Sequence, residues 1–253
     1  MSSGSLLARN MKIPFAYKNS SAIFFKELKG YFYSLSSYIF IIVFLTIITW
    51  IYFSNLFLVG QASMRSFFAL IPWFFLFLVP ALSMRIWSEE KRQGTYETLL
   101  VLPISEWEIV AAKFLASFIF LGATLLFSFS IPITLTIYGS PDWGQIIGSY
   151  IGAWLLGGAY LALGQYVSSL TRNQIVAFLL TIAIAGIFIF LGLPFVLMQA
   201  GPLSGIFYEV STITHFGNLS KGLIDLRDVV YYVSYTVIFL YLNVYVLVKR
   251  HWK

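Results

Sequence analysis

The sequence predicts an all-α polytopic membrane protein, and three observations carry that prediction. Hydrophobic residues make up 59% of the 253 positions and charged residues only 10%, with a mean hydropathy of +0.85, whereas a soluble domain of this length is about a quarter charged. Several apolar runs exceed the roughly 20 residues that cross a hydrocarbon core as a helix. Runs such as Tyr38 to Phe53, YIFIIVFLTIITWIYF, lack the in-out alternation of a membrane β-barrel strand.

Six spans result, over about 36–58, 67–86, 114–138, 145–170, 174–199 and 229–248 of a single transmembrane domain covering 1–253. With both termini on the cytoplasmic side, thirteen of the sixteen Lys and Arg residues fall inside and only Arg65, Lys221 and Arg227 outside. That is the bias expected of cytoplasmic loops. The net charge of +6 thus follows membrane topology and implies no nucleic-acid partner. The first apolar run starts too deep, and is too long, for a cleaved secretory leader. The chain has no Cys, which removes disulfides and thiolate metal sites.

Ahead of the first span, 20–35 reads as an amphipathic helix lying in the membrane interface. Phe24, Leu28, Tyr31 or Phe32, and Leu35 fall on one stripe, with Lys26, Lys29 and Tyr33 opposite. The plainer alternative is an extension of the first span into the cytoplasm. Pro72, Pro80, Pro132 and Pro194 mark kinks, or gates, within the spans. Gly144, Gly148 and Gly152 recur at four-residue spacing at the start of the fourth span. Such a small-residue face suits close helix packing, either within the chain or across a dimer seam. The external loop over 200–228 contains Leu203, Ile206 and Phe207, a pattern for a short helix dipping into the outer interface. It also holds a lone histidine, His215. A metal site needs several convergent ligands, so His215 is read as packed or solvated.

The span interiors are free of Asp, Glu, Lys, Arg and His. This argues against a proton relay, an ion-coupled carrier and an intramembrane hydrolase. No G-x-x-x-x-G-K-[ST] phosphate cradle occurs. The chain is therefore expected to be non-catalytic and to bind no cofactor itself, with any energy supplied by another polypeptide.

The charge is concentrated instead between the second and third spans. Arg85 to Lys113 holds nine of the twenty-six charged residues, and 87–113 reads as a capped elbow. Glu89 and Glu90 lie on a helical extension that Gly94 stops in a left-handed conformation. Thr95 then caps a two-turn helix with Glu97 in its first turn. Tyr96, Leu99 and Leu100 share one face of it, and Pro103 ends it. Ser105 and Glu108 form a capping box, with Ile104 and Ile109 placed as a staple. Lys113 is expected to snorkel to the membrane surface.

At these residues the chain resembles the ABC type-2 exporter permeases. Glu89-Glu90-Lys91-Arg92-Gln93-Gly94-Thr95, followed by Glu97, Leu99-Leu100, Pro103 and Lys113, is similar to that family's stretch after its second helix. Phe25 to Phe32, with Glu27 among them, resembles its N-terminal interfacial helix, and His215 to Asp228 its last outer loop. The short six-helix permeases of gliding-motility and nitrous-oxide-reductase-maturation type are the most similar subgroup. The resemblance implies a homodimer or paired permease in a prokaryotic cytoplasmic membrane. Each copy would dock on an ATP-binding cassette subunit that holds ATP and Mg. Residues 96–102 would be the coupling helix, braced by the interfacial helix. An extracytoplasmic accessory protein is a further implied partner. The rival expectation is a membrane anchor that recruits an ATPase and transmits force without moving cargo.

Overall fold

A computed structural model describes residues 12–59, 63–96, 104–222 and 224–251. Glu97, Leu99, Leu100 and Pro103 lie outside the described residues. Helix α1 (Lys12–Tyr33) is separated from α2 (Leu35–Val59) by a break at Ser34. The amphipathic helix read over 20–35 thus begins earlier and stops before Leu35. On α2, Phe40, Phe44, Ile48 and Tyr52 are buried at four-residue spacing, while Ile39, Ile42, Ile47 and Trp50 are exposed on the remaining faces. This one-sided burial is what an i, i+4 stripe packed on a single neighbour produces.

The second span is two helices, α3 (Arg65–Ser83) and α4 (Arg85–Gln93). Pro72 and Pro80 sit inside an unbroken α3; the interruption comes at Met84. The third span likewise divides into α5 (Glu106–Phe127) and α6 (Ser130–Tyr138). Pro132 explains this break, because its ring crowds the carbonyl of residue 128 and it donates no hydrogen bond. The chain tightens just ahead of it into three-residue turns, Ser128 N–H to Leu125 O at 3.1 Å and Ile131 N–H to Ser128 O at 3.0 Å.

The fourth span is one long helix, α7 (Trp143–Leu170), capped by Asp142, whose side chain accepts from the Gly144 and Gln145 amides. Asn173 caps α8 (Gln174–Phe190) in the same way through the Ile175 amide. The fifth span, read over 174–199, is shorter than expected. The helix ends at Phe190, and Pro194 opens a separate six-residue α9 (Pro194–Gln199), a first-turn position that suits proline. Beyond a 3₁₀ turn at Gly201–Leu203 come α10 (Ser204–Val210), α11 (Thr212–Leu219) and α12 (Leu226–His251). None of the residues of α10 is buried, and Ile206 is exposed.

Among the described residues five stretches are long and apolar enough to cross a membrane: Ser37–Ser54, Arg65–Gln93, Glu106–Ile137, Trp143–Leu170 and Leu226–Lys249. Helix α8 is apolar but only 17 residues long, about 25 Å at 1.5 Å per residue. There is no strand among the described residues.

Helix α7 is the hub, with 72% of its apolar window buried against 28% for α2 and for α12. Its glycines set how closely neighbours approach. A methyl group on Gly148 would lie 3.0 Å from the Gly222 Cα, and one on Gly152 would lie 2.9 Å from the Leu219 Cβ. The small-residue stripe therefore serves packing within the chain, against α11 and the turn after it. Gly144 takes part through its backbone, whose carbonyl carbon lies 3.2 Å from the Cβ position of Gly222, while a methyl group on Gly144 would meet only its own cap, Asp142, at 3.3 Å. Gly222 completes the contact with φ at +82° and its pro-Cβ position 2.8 Å from the Gln145 Cα, so both its conformation and its lack of a side chain are required.

Gly222→Ala is accordingly expected to destabilise the protein by at least about 2 kcal/mol, since a left-handed alanine alone costs about 1–2. Gly217→Ala, where a methyl group meets nothing within 4 Å, should be neutral. Thermal unfolding in detergent compares the two.

Candidate functional site

The elbow end of the bundle is organised around one buried ammonium. Lys113, on the third turn of α5, is 2% exposed. Its Nζ lies 2.8 Å from Glu27 Oε1 of α1, 2.7 Å from Glu90 Oε1 of α4 and 3.4 Å from the Ile86 carbonyl. Its three donors are thus matched by three acceptors. The Trp87 ring stands 5.1 Å below and adds a cation–π attraction. Lys113 therefore does not snorkel outward as expected. Helices α1 and α4 cover it, and two carboxylates replace the water that a snorkelling lysine seeks.

Glu27 reaches this point because α1 lies along α5. On α1, Ile23 is buried, Phe24, Glu27, Leu28 and Tyr31 are half-buried, and Lys26 and Lys29 are exposed as expected. The Phe24, Leu28 and Tyr31 face thus packs on the bundle with Glu27 joining it, while Phe32 lies at its margin. Aromatic packing and charge hold this face. Tyr31 stacks on Phe120 at 5.3 Å and Phe32 meets the same ring edge-on at 5.5 Å, while Glu27 turns to Lys113.

Helix α4 is held on its other side by α7 and α8. At the Met84 break, the Ser168 hydroxyl accepts from the Trp87 and Ser88 amides at 3.1 and 3.0 Å and donates to the Met84 carbonyl at 2.8 Å. It thereby satisfies groups that a helix start leaves without partners, which explains why the ladder is interrupted there. Lys91 donates to the Ser169 carbonyl in the last turn of α7, a favoured place for a cation. Glu89 accepts from Arg92 and Gln93 at 2.7 Å each and from Gln174 at the start of α8. So Glu89 and Glu90, adjacent in sequence, tie α4 to opposite sides of the bundle.

Gly94 ends α4 with φ 75° and ψ 5°, its amide donating to the Glu90 carbonyl, the left-handed stop expected of it. Thr95 is already helical, and its hydroxyl turns back to donate to the Glu90 carbonyl at 3.5 Å; the amides that it would cap lie outside the described residues. Tyr96 also turns inward, 9% exposed, its ring 5.9 Å from Trp87 and 5.1 Å below Lys91 Nζ. Within the chain, then, Tyr96 fastens the elbow down. The start of α5 carries the complete capping box, Ser105 N–H to Glu108 Oε2 at 3.1 Å and Glu108 N–H to Ser105 Oγ at 3.4 Å.

A family model described as ABC-2 family transporter protein matches residues 53–251. The chain belongs to the ABC-2 transporter family. It is thus an integral multi-pass membrane protein and the permease component of an ABC transporter. The matched stretch takes in the elbow and α5 to α12 and begins after α1. Comparison with curated proteins gives no match.

Sequence reasoning missed Lys91, Ser168, Ser169 and Gln174 in this ABC-2 permease. Two serines followed by Thr171 and Asn173 at the end of an apolar span were the available signal, since small polar residues there commonly serve interhelical bonds. At the opposite end of the bundle His215 is packed, 3% exposed. Its Nδ1 lies 2.6 Å from Asp228 Oδ1, its Nε2 3.0 Å from the Glu209 carbonyl, and its ring stacks on Tyr231 at 3.9 Å. It clamps α11 to α12.

Replacing Lys113 with Met is expected to cost about 3–5 kcal/mol, because Glu27 and Glu90 are then buried without their counter-ion. Adding Glu27→Leu and Glu90→Leu to it should recover most of that loss. Denaturant or thermal unfolding of the purified permease measures both.

Proposed function

We propose that this chain is the transmembrane subunit of an ATP-driven exporter in the cytoplasmic membrane of a prokaryote, working as a pair of permeases. In this reading α8 is the shortest of six spans and both termini face the cytoplasm, in keeping with the distribution of Lys and Arg. ATP and Mg are held by a separate cassette subunit that docks on the elbow. Glu89, Glu90, Gly94, Thr95 and Tyr96 form the part of the elbow nearest the membrane. Glu97, Leu99, Leu100 and Pro103 form the part that meets the ATPase.

The observation that carries the proposal is the Glu27–Lys113–Glu90 contact. A displacement applied to the elbow pulls on Glu90, and Lys113 passes the load to α5 and, through Glu27, to α1. The same displacement reaches α7 through Ser168 and Lys91 and α8 through Glu89. A push at one small surface thus arrives together at the helices that border a path through the membrane. The Gly94 stop and the Ser105 box keep the lever short, with little slack in which the motion would dissipate.

The docking half of this account is tested by co-purification with candidate cassette ATPases co-expressed with the permease. Changing Leu99 and Leu100 together to Asp should reduce ATPase recovery at least about tenfold, the loss expected when two anchors at an interface centre are charged, without altering the permease's unfolding temperature. Undiminished recovery would remove the docking assignment. Tyr96 is left intact because its ring is part of the permease's own core.

A further inference from the structure

Helix α10 buries none of its own residues, yet its end is fastened. The last four carbonyls of a helix have no partner inside it. In α10 the first of these, at Phe207, accepts from the Ser211 amide at 3.1 Å. The other three are each met by a side chain of α11 or α12. Thr214 shares its hydroxyl hydrogen between the Tyr208 and Ser211 carbonyls at 2.7 and 2.8 Å, and Tyr231 donates to the Val210 carbonyl at 2.5 Å. Between them, His215 Nε2 lies 3.0 Å from the Glu209 carbonyl. Two of these three donors are hydroxyls. The third belongs to histidine, the side chain that gains and loses its charge most readily near neutral pH.

The surroundings of His215 count its hydrogens. A backbone carbonyl only accepts, so Nε2 carries a hydrogen toward Glu209. At the other ring nitrogen, Nδ1 and Asp228 Oδ1 are 2.6 Å apart, with the side chains 3% and 2% exposed. Two lone pairs do not meet so closely, and a second hydrogen lies between them. Whether that hydrogen sits on the ring or on the carboxyl group, the pair holds two, one more than a neutral imidazole and a carboxylate hold together. They belong to the pair as a unit. When one leaves, the other stays in the shorter, charge-assisted contact with Asp228. Nε2 then turns a lone pair toward the Glu209 carbonyl, and that tie is lost.

Among the described residues no other ionisable group takes over this role. Helix α12 brings Asp228, Tyr231 and Tyr232, whose hydroxyl donates to the Thr212 carbonyl at 2.7 Å. The Glu209 carboxylate of α10 pairs with Arg227 away from the ring. From α7 comes Tyr160, whose hydroxyl meets that of Thr212 at 3.0 Å. Helix α8 carries no ionisable residue, α3 only Arg65, and the turn after α11 Lys221 and Asp225, all three exposed.

We propose that the His215–Asp228 pair is a proton-operated latch on α10. Holding two hydrogens, it fastens the end of α10 to α11 and α12; holding one, it lets that end go. The extra proton is bound in the fastened form, so the latch is closed at low pH and opens as the pH rises. The segment it governs, α9 and α10, exposes Phe195, Met198, Leu203 and Ile206, so opening frees an apolar surface at the end of the bundle opposite the elbow. The inference rests on the geometry within one chain and not on ATP coupling.

The chain has no Cys, so Ile206→Cys, exposed on α10, gives a single site for a spin label on the purified permease. Ile137→Cys, exposed near the end of α6, is the control. Label mobility is followed by electron paramagnetic resonance across the pH range in which the permease stays folded. The α10 label should be held at low pH and gain mobility as the pH rises, while the α6 label does not change. Asp228→Asn leaves no carboxylate to share the hydrogen, so the same release should come at about tenfold higher proton concentration. His215→Phe keeps a ring beside Tyr231 but has no hydrogen to give, and its α10 label should be mobile at every pH. An α10 label whose mobility stays the same across the whole range, held or free, overturns the proposal. So does a release that survives at unchanged pH in both variants.

Discussion

An ammonium group buried beside a membrane is tolerable only when every one of its protons has an acceptor and its charge has a counter-charge at contact distance. Lys113 imposes that condition on three separate parts of the chain. It fixes α1 against α5 although the two are joined only through a covering helix and most of two spans. It fixes the rotation of α4, because Glu90 and the Ile86 carbonyl must both face inward. It fixes the rotation of α1, because Glu27 must displace an apolar residue from the inward stripe. The Trp87 ring beneath it and the Tyr96 ring beside Trp87 then close the elbow over the charge.

The remaining contacts at this end make sense as consequences of that orientation. Once Glu90 faces α5, its neighbour Glu89 faces away and finds Gln174, and Lys91 faces the last turn of α7. Ser168 fills the break at Met84 because the start of α4 needs acceptors there and the close approach of α3 to α7 leaves room for only a short side chain. The elbow is thus held by a cluster of opposite charges on one side and by hydrogen bonds to neutral partners on the other. Neither set is exposed to bulk salt screening to the degree of a surface ion pair.

Much of the fold was legible in the sequence, and the reasons are local. Long apolar runs mark membrane helices irrespective of their partners, and Ser105 and Gly94 announce helix ends through chemistry that acts within four residues. The Gly148 and Gly152 face was legible as a packing surface, although its partner, α11 and Gly222, was not. What hydropathy missed were the interruptions at Met84 and after Phe127 and Phe190, because each falls within a stretch apolar enough on average to read as one span. Hydropathy also misplaced Lys113. A lone lysine at a span boundary looks as if it should reach for water. Only its pairing with Glu27, 86 positions away, reverses this, and nothing in a single sequence signals that pairing. The packing of Tyr96 on Trp87 was likewise not legible, since it depends on how the chain turns after Gly94.

The central claim is that α1 and the elbow behave as one body because they share Lys113. Hydrogen exchange on the purified permease carrying Glu27→Gln tests this most directly, since Glu27 makes no bond to α4 itself. The account predicts faster exchange in the amides of Trp87 to Gln93 as well as in α1, because Lys113 is released to pull away from Glu90 and Ile86. Exchange that quickens in α1 alone, with α4 protected as before, would contradict it.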